Sequence, residues 1–340
     1  MKTLFFCAAA VATTAAVHAD PRPSFDCTKA QGSIERAICS DENLADRDRS
    51  LAERFARLEK DLSPESFATV RNAQRDWVSW VRAWCGGKKS AEDASHPSGV
   101  ADCLNTEYGE REGVLALPSR TSGTLKLEGR LIFRNRKVAS TAEVEDDGYP
   151  WLTGTPADKA QTFNRHIEKT LAIASRLSRF TPGDLKAMGE GVEHLARTFE
   201  VHHFDGHLIS LEVIHTNAGP TGHTWMSEYA LNWDLDRGRP LKLDDVFRVD
   251  RKFWETVVAQ ARKYLKENSD TADVDGWLDS VSTEVKDEAN WLFDDRGVVV
   301  LLGHGSRSAA GTAAEVPVGY AELRPFLKTD RPSWAGTTGE

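Results

Sequence analysis

No stretch of this sequence carries the roughly 20 consecutive apolar residues that a membrane-spanning helix needs. The one apolar run of any length, Leu4–Val17, stops at about fourteen. Missing too are the spaced signatures of common hydrolases: G-x-S-x-G, H-E-x-x-H, and S-x-x-K with its partner motifs. Basic residues are in deficit, 43 Lys and Arg against 52 Asp and Glu, for a net charge of -9. That balance argues against nucleic acid as the main partner, because phosphate binding needs a basic face. A basic protein partner stays open, since an acidic surface steers one in. The chain is neither collagen-like nor of low complexity. Ten Trp and fourteen Phe need somewhere to be buried, which argues against bulk disorder. A length of 340 residues fits two domains.

The apolar run reads as a leader. Lys2 gives the positive start, and Val17-His18-Ala19 before Asp20 is a small-residue cleavage site. Residues 1–19 are therefore expected to be removed. Loss of Lys2, the leader's only charged side chain, takes the net charge from -9 to -10. The mature chain is expected in a bacterial periplasm or outside the cell, with no lipid anchor and no membrane span. Cys7 leaves with the leader, and Cys27, Cys39, Cys85 and Cys103 remain. An even count in an oxidising compartment predicts two disulfides. Of three connectivities, Cys27–Cys39 with Cys85–Cys103 is favoured because each closes a short loop. A four-cysteine zinc site is disfavoured, since the close paired spacing it needs is absent.

The cysteine-bearing stretch has helical periodicity. Leu44, Leu51, Phe55, Leu58 and Leu62 form one stripe, and Phe67, Val70, Trp77, Val81 and Trp84 another. Ser63-Pro64 separates them as a stop and a start. Short helices over Ser33–Cys39 and Ala101–Leu117 are expected on either side. Within this stretch Phe25-Asp26-Cys27, Ile34-Glu35-Arg36-Ala37-Ile38-Cys39, the Leu44–Asp48 segment, Gln74-Arg75-x-Trp77, Cys85 and Cys103-Leu104 with Tyr108 stand in a characteristic order. This pattern resembles the N-terminal domain of LprI-type lysozyme inhibitors over about residues 25–117. It departs from that family at Val81, where an arginine is usual, with Arg82 following. The resemblance implies a helical, disulfide-stapled fold and a lysozyme partner. Most of the matching positions, Trp77 among them, read as core.

Beyond Pro118 the periodicity changes. Thr121-Ser122-Gly123 reads as a linker, Thr124–Arg134 as a strand and Tyr149–Gly154 as a loop. A helix is expected over Ala157–Leu177. Phe199–Phe204 and His207–His215 read as strands joined by Asp205-Gly206. Trp225, Tyr229, Leu231, Trp233 and Leu235 share one strand face, so Trp225 is expected in the core. A helix over Arg251–Glu267, a buried strand Gly297–Leu302 and a short helix within Pro317–Leu327 follow. Strands and helices segregate, which predicts an α+β domain with a mainly antiparallel sheet behind the helical domain. The boundaries expected are a leader at 1–19, a helical domain at 20–118, a linker and leading strand at 119–144, an α+β domain at 145–328 and a flexible tail at 329–340. Pro150-Trp151-Leu152-Thr153-Gly154, Asn164-Arg165-His166-Ile167, Asn232-Trp233-Asp234-Leu235, the Leu241–Phe247 segment and Val316-Pro317-Val318 carry a second resemblance. Over about 145–328 the chain is similar to the extracellular C-terminal domain of the anti-sigma factor RsiV. That similarity also implies a lysozyme partner.

No catalytic residue, metal site or cofactor is expected. His202, His203, His207, His215 and His223 cluster in sequence, but they flank core positions and have no carboxylate at a fixed helical offset, so surface or cap roles are favoured over zinc. The pairs Asp244-Asp245 and Asp294-Asp295 read as turn residues rather than glycosidase acids. Binding residues are sought on loops. The segments Gly219–Trp225 and Gly303–Gly311 stand out, with His223, Trp225, His304, Ser306 and Arg307 as partner-binding candidates. The reading that results is a lysozyme-binding protein acting as an inhibitor by occluding the substrate cleft. The alternative is a non-catalytic envelope module that binds glycan or peptidoglycan fragments.

Overall fold

The structure is a computed structural model and describes residues 22–86, 99–138, 141–172, 183, 191–219, 224–268, 280–303, 307–308 and 314–336. The leader lies outside the described residues. Four helices come first: α1 (Ser33–Ser40), α2 (Glu42–Asp61), α3 (Pro64–Trp84) and α4 (Gly99–Val114). Their ends are set by local chemistry. Asp41 accepts the Leu44 N–H at the start of α2, and Ser63 accepts the Ser66 N–H one residue ahead of Pro64. Leu44, Leu51 and Leu58 of α2 are buried, as are Val70, Trp77, Val81 and Trp84 of α3. The two stripes thus face a common core. Cys27–Cys39 and Cys85–Cys103 are both closed, at Cα separations of 5.8 and 5.7 Å.

The rest is built on two sheets. The larger runs in the order β1 (Ser119–Ser122), β2 (Leu125–Val138), β3 (Thr141–Gly154), β4 (Gly191–Phe204), β5 (Leu208–Ala218), β6 (Thr224–Asp234) and, beyond β6, the short β10 (Arg307–Ser308). The two-residue strand β7 (Arg239–Pro240) also pairs with β6. Neighbours are antiparallel except β3 and β4, which run parallel and are joined through α5 (Ala157–Ile167). The smaller sheet has β8 (Trp291–Phe293), β9 (Gly297–Leu302) and β11 (Ala314–Gly319), all antiparallel. Around it pack α6 (Leu243–Val246), α7 (Arg251–Asn268) and α8 (Tyr320–Leu323), in a core rich in Phe247, Phe253, Trp291 and Phe293. The chain is thus a disulfide-stapled helical part followed by a mainly antiparallel α+β part.

Four details differ from expectation. The stretch 119–144, expected to be a linker and leading strand, is strand in its described part except for one tight turn. Thr121 and Ser122 end β1, Gly123-Thr124 is the hairpin turn to β2, and Gly123 supplies the left-handed φ of 57° there. Tyr149–Gly154 is the end of β3, not a loop. Pro150 is tolerated because β4 pairs with β3 only as far as Asp147, so the ladder there has one neighbour. The expected tail at 329–340 is anchored in its described part. Trp334 is buried edge-on against Phe293 and Ala335 is fully covered. Finally, Trp225 lies outside the core and is 55% exposed.

The helical and sheet parts share one core. Leu131, Phe133, Ala142, Val144 and Val192 of the strands join the α3 and α4 side chains. Two polar ties fasten that packing. At the start of α3, the fully buried Glu128 of β2 accepts hydrogen bonds from Ser63 N and Ser63 Oγ (both 2.6 Å), Ser66 Oγ (2.9 Å) and Lys126 Nζ (2.6 Å). A carboxylate there meets free helix N–H groups and the positive end of the helix dipole. Burial pushes this carboxyl up, but the bonds from Lys126, Ser63 and Ser66 outweigh it and hold it below the usual range.

The second tie lies between α4, β3 and β4. Arg111 donates to Asp146, and through Nε to Gln74 Oε1 at 2.9 Å. His194 Nε2 lies 3.3 Å from Glu107 Oε1, and all four ionisable groups are buried. Burial pushes the Glu107 and Asp146 carboxyls above their usual range, opposed chiefly by His194 and Arg111 respectively. Burial alone disfavours the His194 cation, yet Glu107, Glu110 and Asp146 raise its pKa above the ordinary value.

Candidate functional site

A cleft of about 540 Å³ opens in the helical part. Its roof is the segment before α1. Asp26 accepts the Thr28 N–H and caps the turn Cys27–Lys29, which the Cys27–Cys39 disulfide ties to the end of α1. Its floor comes from α3 and α4, where Trp77 meets Tyr108 edge-on at 5.4 Å. Asp48 of α2 stitches these pieces together. One of its carboxylate oxygens accepts the Tyr108 hydroxyl at 2.9 Å, and the other accepts the Ser24 N–H at 2.7 Å. Burial, with the nearby Asp48 charge, pushes the Tyr108 phenol well above its ordinary value, so it stays a donor. Glu35 of α1 faces Arg82 of α3 across the opening at 3.7 Å.

Several of these residues, including Phe25, Asp26, Ile34, Glu35, Ile38 and Tyr108, were read from sequence as positions that hold the fold. The structure gives them a second property: they line one concavity. Val81 is buried, and Arg82 at the next position supplies the guanidinium at the opening. Nothing in the sequence singled out Asp48 or Arg82 as site residues. Their signal was position on two different helices, which becomes proximity only when α2 and α3 pack.

The loop candidates converge elsewhere. Trp225 stands near the start of β6 with its ring largely in solvent. Strand β10 pairs there, with Ser308 opposite Trp225 and Arg307 opposite Met226. Thus Arg307-Ser308 and Trp225-Met226, far apart in sequence, meet at one edge of the large sheet. His223, His304 and Ser306 lie outside the described residues, and for Arg307 only the backbone is described. Trp151 lies half-buried beneath the Arg130 guanidinium, 3.9 Å from its ring centroid.

His202, His203 and His207 each have a carboxylate beside them, whereas His215 accepts from Arg197 Nε at 3.0 Å. His202 lies 3.6 Å from Asp294, His203 3.2 Å from Asp205 and His207 2.7 Å from Asp236. Asp205 also accepts the His207 and Leu208 N–H groups, and despite burial these bonds pull its pKa down to about 2. These are turn-closing pairs. Among the described residues no group of three or more His, Cys, Asp or Glu is placed to hold a metal ion, and no helix is long and apolar enough to cross a membrane.

Residues 27–115 match the family model of Lysozyme inhibitor LprI. This match spans the helices, both disulfides and most of the cleft lining, and leaves the sheet part outside. No curated protein matches the chain. Among solved structures the chain is similar to a member of the DUF3298 family from Bacteroides fragilis, at 15% identity and a TM-score of 0.44. That alignment covers 62% of this chain and 96% of that one. A DUF3298 family protein from Pseudomonas aeruginosa aligns at 13% identity and a TM-score of 0.38, covering 60% of this chain and 95% of that one.

Proposed function

We propose that the protein is an exported lysozyme-binding protein that inhibits its partner by occluding the substrate cleft. The observation that carries this reading is the match of residues 27–115 to the lysozyme inhibitor LprI family, on a helical part whose two disulfides are both closed. Closed disulfides suit a periplasmic or extracellular setting. A net charge of -9 suits a cationic partner, and association steered by charge slows as salt rises. The sequence resemblance of about residues 145–328 to the extracellular domain of RsiV extends the proposal to the sheet part, with the Trp225 edge as its contact surface. An exposed tryptophan at a sheet edge has the form of an interface anchor.

The test is direct. Purified chain lacking residues 1–19 is titrated into turnover assays of several lysozymes, with complex formation followed by gel filtration. Stoichiometric loss of activity is the expected result. Neither inhibition nor a complex at micromolar concentration, across lysozyme types, would overturn the proposal.

A further inference from the structure

We infer that the cleft of the helical part is a receptor for one basic side chain, lysine or arginine, presented by a protein partner; this rests on the reading above for the partner's identity, but not for the chemistry of the cleft. Three aromatic rings, Phe25, Trp77 and Tyr108, and three carboxylates, Asp26, Glu35 and Asp48, line one concavity of about 540 Å³. The half-buried Phe25 ring and the carboxylates both favour a cation, with the buried Trp77 and Tyr108 as walls, and a partly desolvated site strengthens both attractions. Apolar Ile34, Val78 and Val81 line the same space and suit the methylene stem of a long basic side chain.

The resident cations leave room for another. Lys29 and Arg82 reach Asp26 and Glu35 only at 3.8 and 3.7 Å, beyond hydrogen-bond length, with side chains 82% and 65% exposed. Exposed pairs of this kind contribute little and exchange readily for a partner's cation. Asp48 accepts one hydrogen bond at each oxygen, so each keeps a free lone pair. The lining carries three carboxylates against two cations, and the chain as a whole is acidic. An anionic ligand would meet net repulsion. A sugar ring would need an open aromatic face, whereas Trp77 is 3% exposed and the Tyr108 hydroxyl is committed to Asp48. A slender cationic side chain entering end-on meets neither obstacle.

The experiment has two arms, both on the full chain without residues 1–19. In the first, Glu35→Gln removes a carboxylate at the opening and Val78→Trp fills the cleft, and each is measured for affinity to a basic lysozyme. Each is expected to weaken binding at least about tenfold, the scale of one lost charge-assisted contact. Thermal melting confirms that both variants fold; should Val78→Trp fail, Glu35→Gln alone decides. Full binding by the folded variants overturns the inference and leaves the lysozyme reading intact. In the second arm, N-acetyl-arginine amide is titrated against N-acetyl-citrulline amide, its uncharged isostere, with the Trp77 and Tyr108 ring resonances followed by NMR. Saturable shifts with arginine alone support the receptor. Equal shifts, or none, overturn it. This arm holds even if no lysozyme binds, an outcome that would count against the proposed function only.

Discussion

Glu128 offers a sharp test of how the helical part is fastened to the sheet. Its carboxylate is fully buried and gathers four donors at the start of α3. Not all four are orphaned when it is replaced. Lys126 also donates to the Asp61 carbonyl at 2.6 Å and keeps that partner. The Ser66 hydroxyl accepts from Arg130 Nε at 3.2 Å, so its own proton loses its acceptor, as do the Ser63 N–H and hydroxyl. Three orphaned donors, at about 1–3 kcal/mol each, put the loss for Glu128→Ala at about 3 kcal/mol or more. Glu128→Gln keeps one acceptor oxygen and is expected to cost about half as much. Urea unfolding followed by tryptophan fluorescence measures both. The folded carboxyl lies below its unfolded value of about 4.3, so its stabilisation is present above that pH and is lost as pH falls through the folded value. The gap between wild type and variant should therefore close in acid. A loss below about 1 kcal/mol for Glu128→Ala, or a gap that does not change with pH, would refute this account.

Other expectations concern different parts of the molecule. The folded His194 is raised above its unfolded value of about 6.5, so its stabilisation is full below that pH and fades as pH rises through the folded value. Urea midpoints of wild type should decline over that window, and those of His194→Gln should not. Replacing Cys85 and Cys103 together by serine opens a loop with a separation of 18 residues and should cost about 3 kcal/mol in chemical unfolding. Trp225→Ala, at an exposed ring, should change stability by no more than about 0.5 kcal/mol while weakening partner binding by about 2 kcal/mol in calorimetry.

The helical part was legible because its signals are local. A seven-residue leucine spacing, an Asp41 cap and a Ser63-Pro64 start define α2 and α3 without reference to the rest of the chain. The hairpin at Asp205-Gly206 was legible for the same reason. Trp225 was misread because alternation specifies a face and not how far along the strand that face is covered. Leu231 and Trp233 lie over the core at one end of β6, and burial fades toward Trp225 at the other. The charged run in β3 hid a further feature. Glu143 and Glu145 are fully buried directly across the ladder from Arg136 and Arg134. Cross-strand neutralisation of this kind depends on register, which no single segment encodes.

The amino-acid sequence by itself determined the helices with their caps, the four cysteines that pair, the antiparallel hairpins and the acidic balance. These rest on spacing and composition, which act over a few residues or over the whole chain. Tertiary structure decided what lies at intermediate range. It joined the two parts through Glu128 and the buried Arg111–Asp146 and Glu107–His194 pairs, turned an expected linker into sheet, and paired Arg307-Ser308 with the start of β6. It also made a cleft from residues on separate helices. A concavity belongs to no segment; it exists only where packed elements fail to fill the space between them.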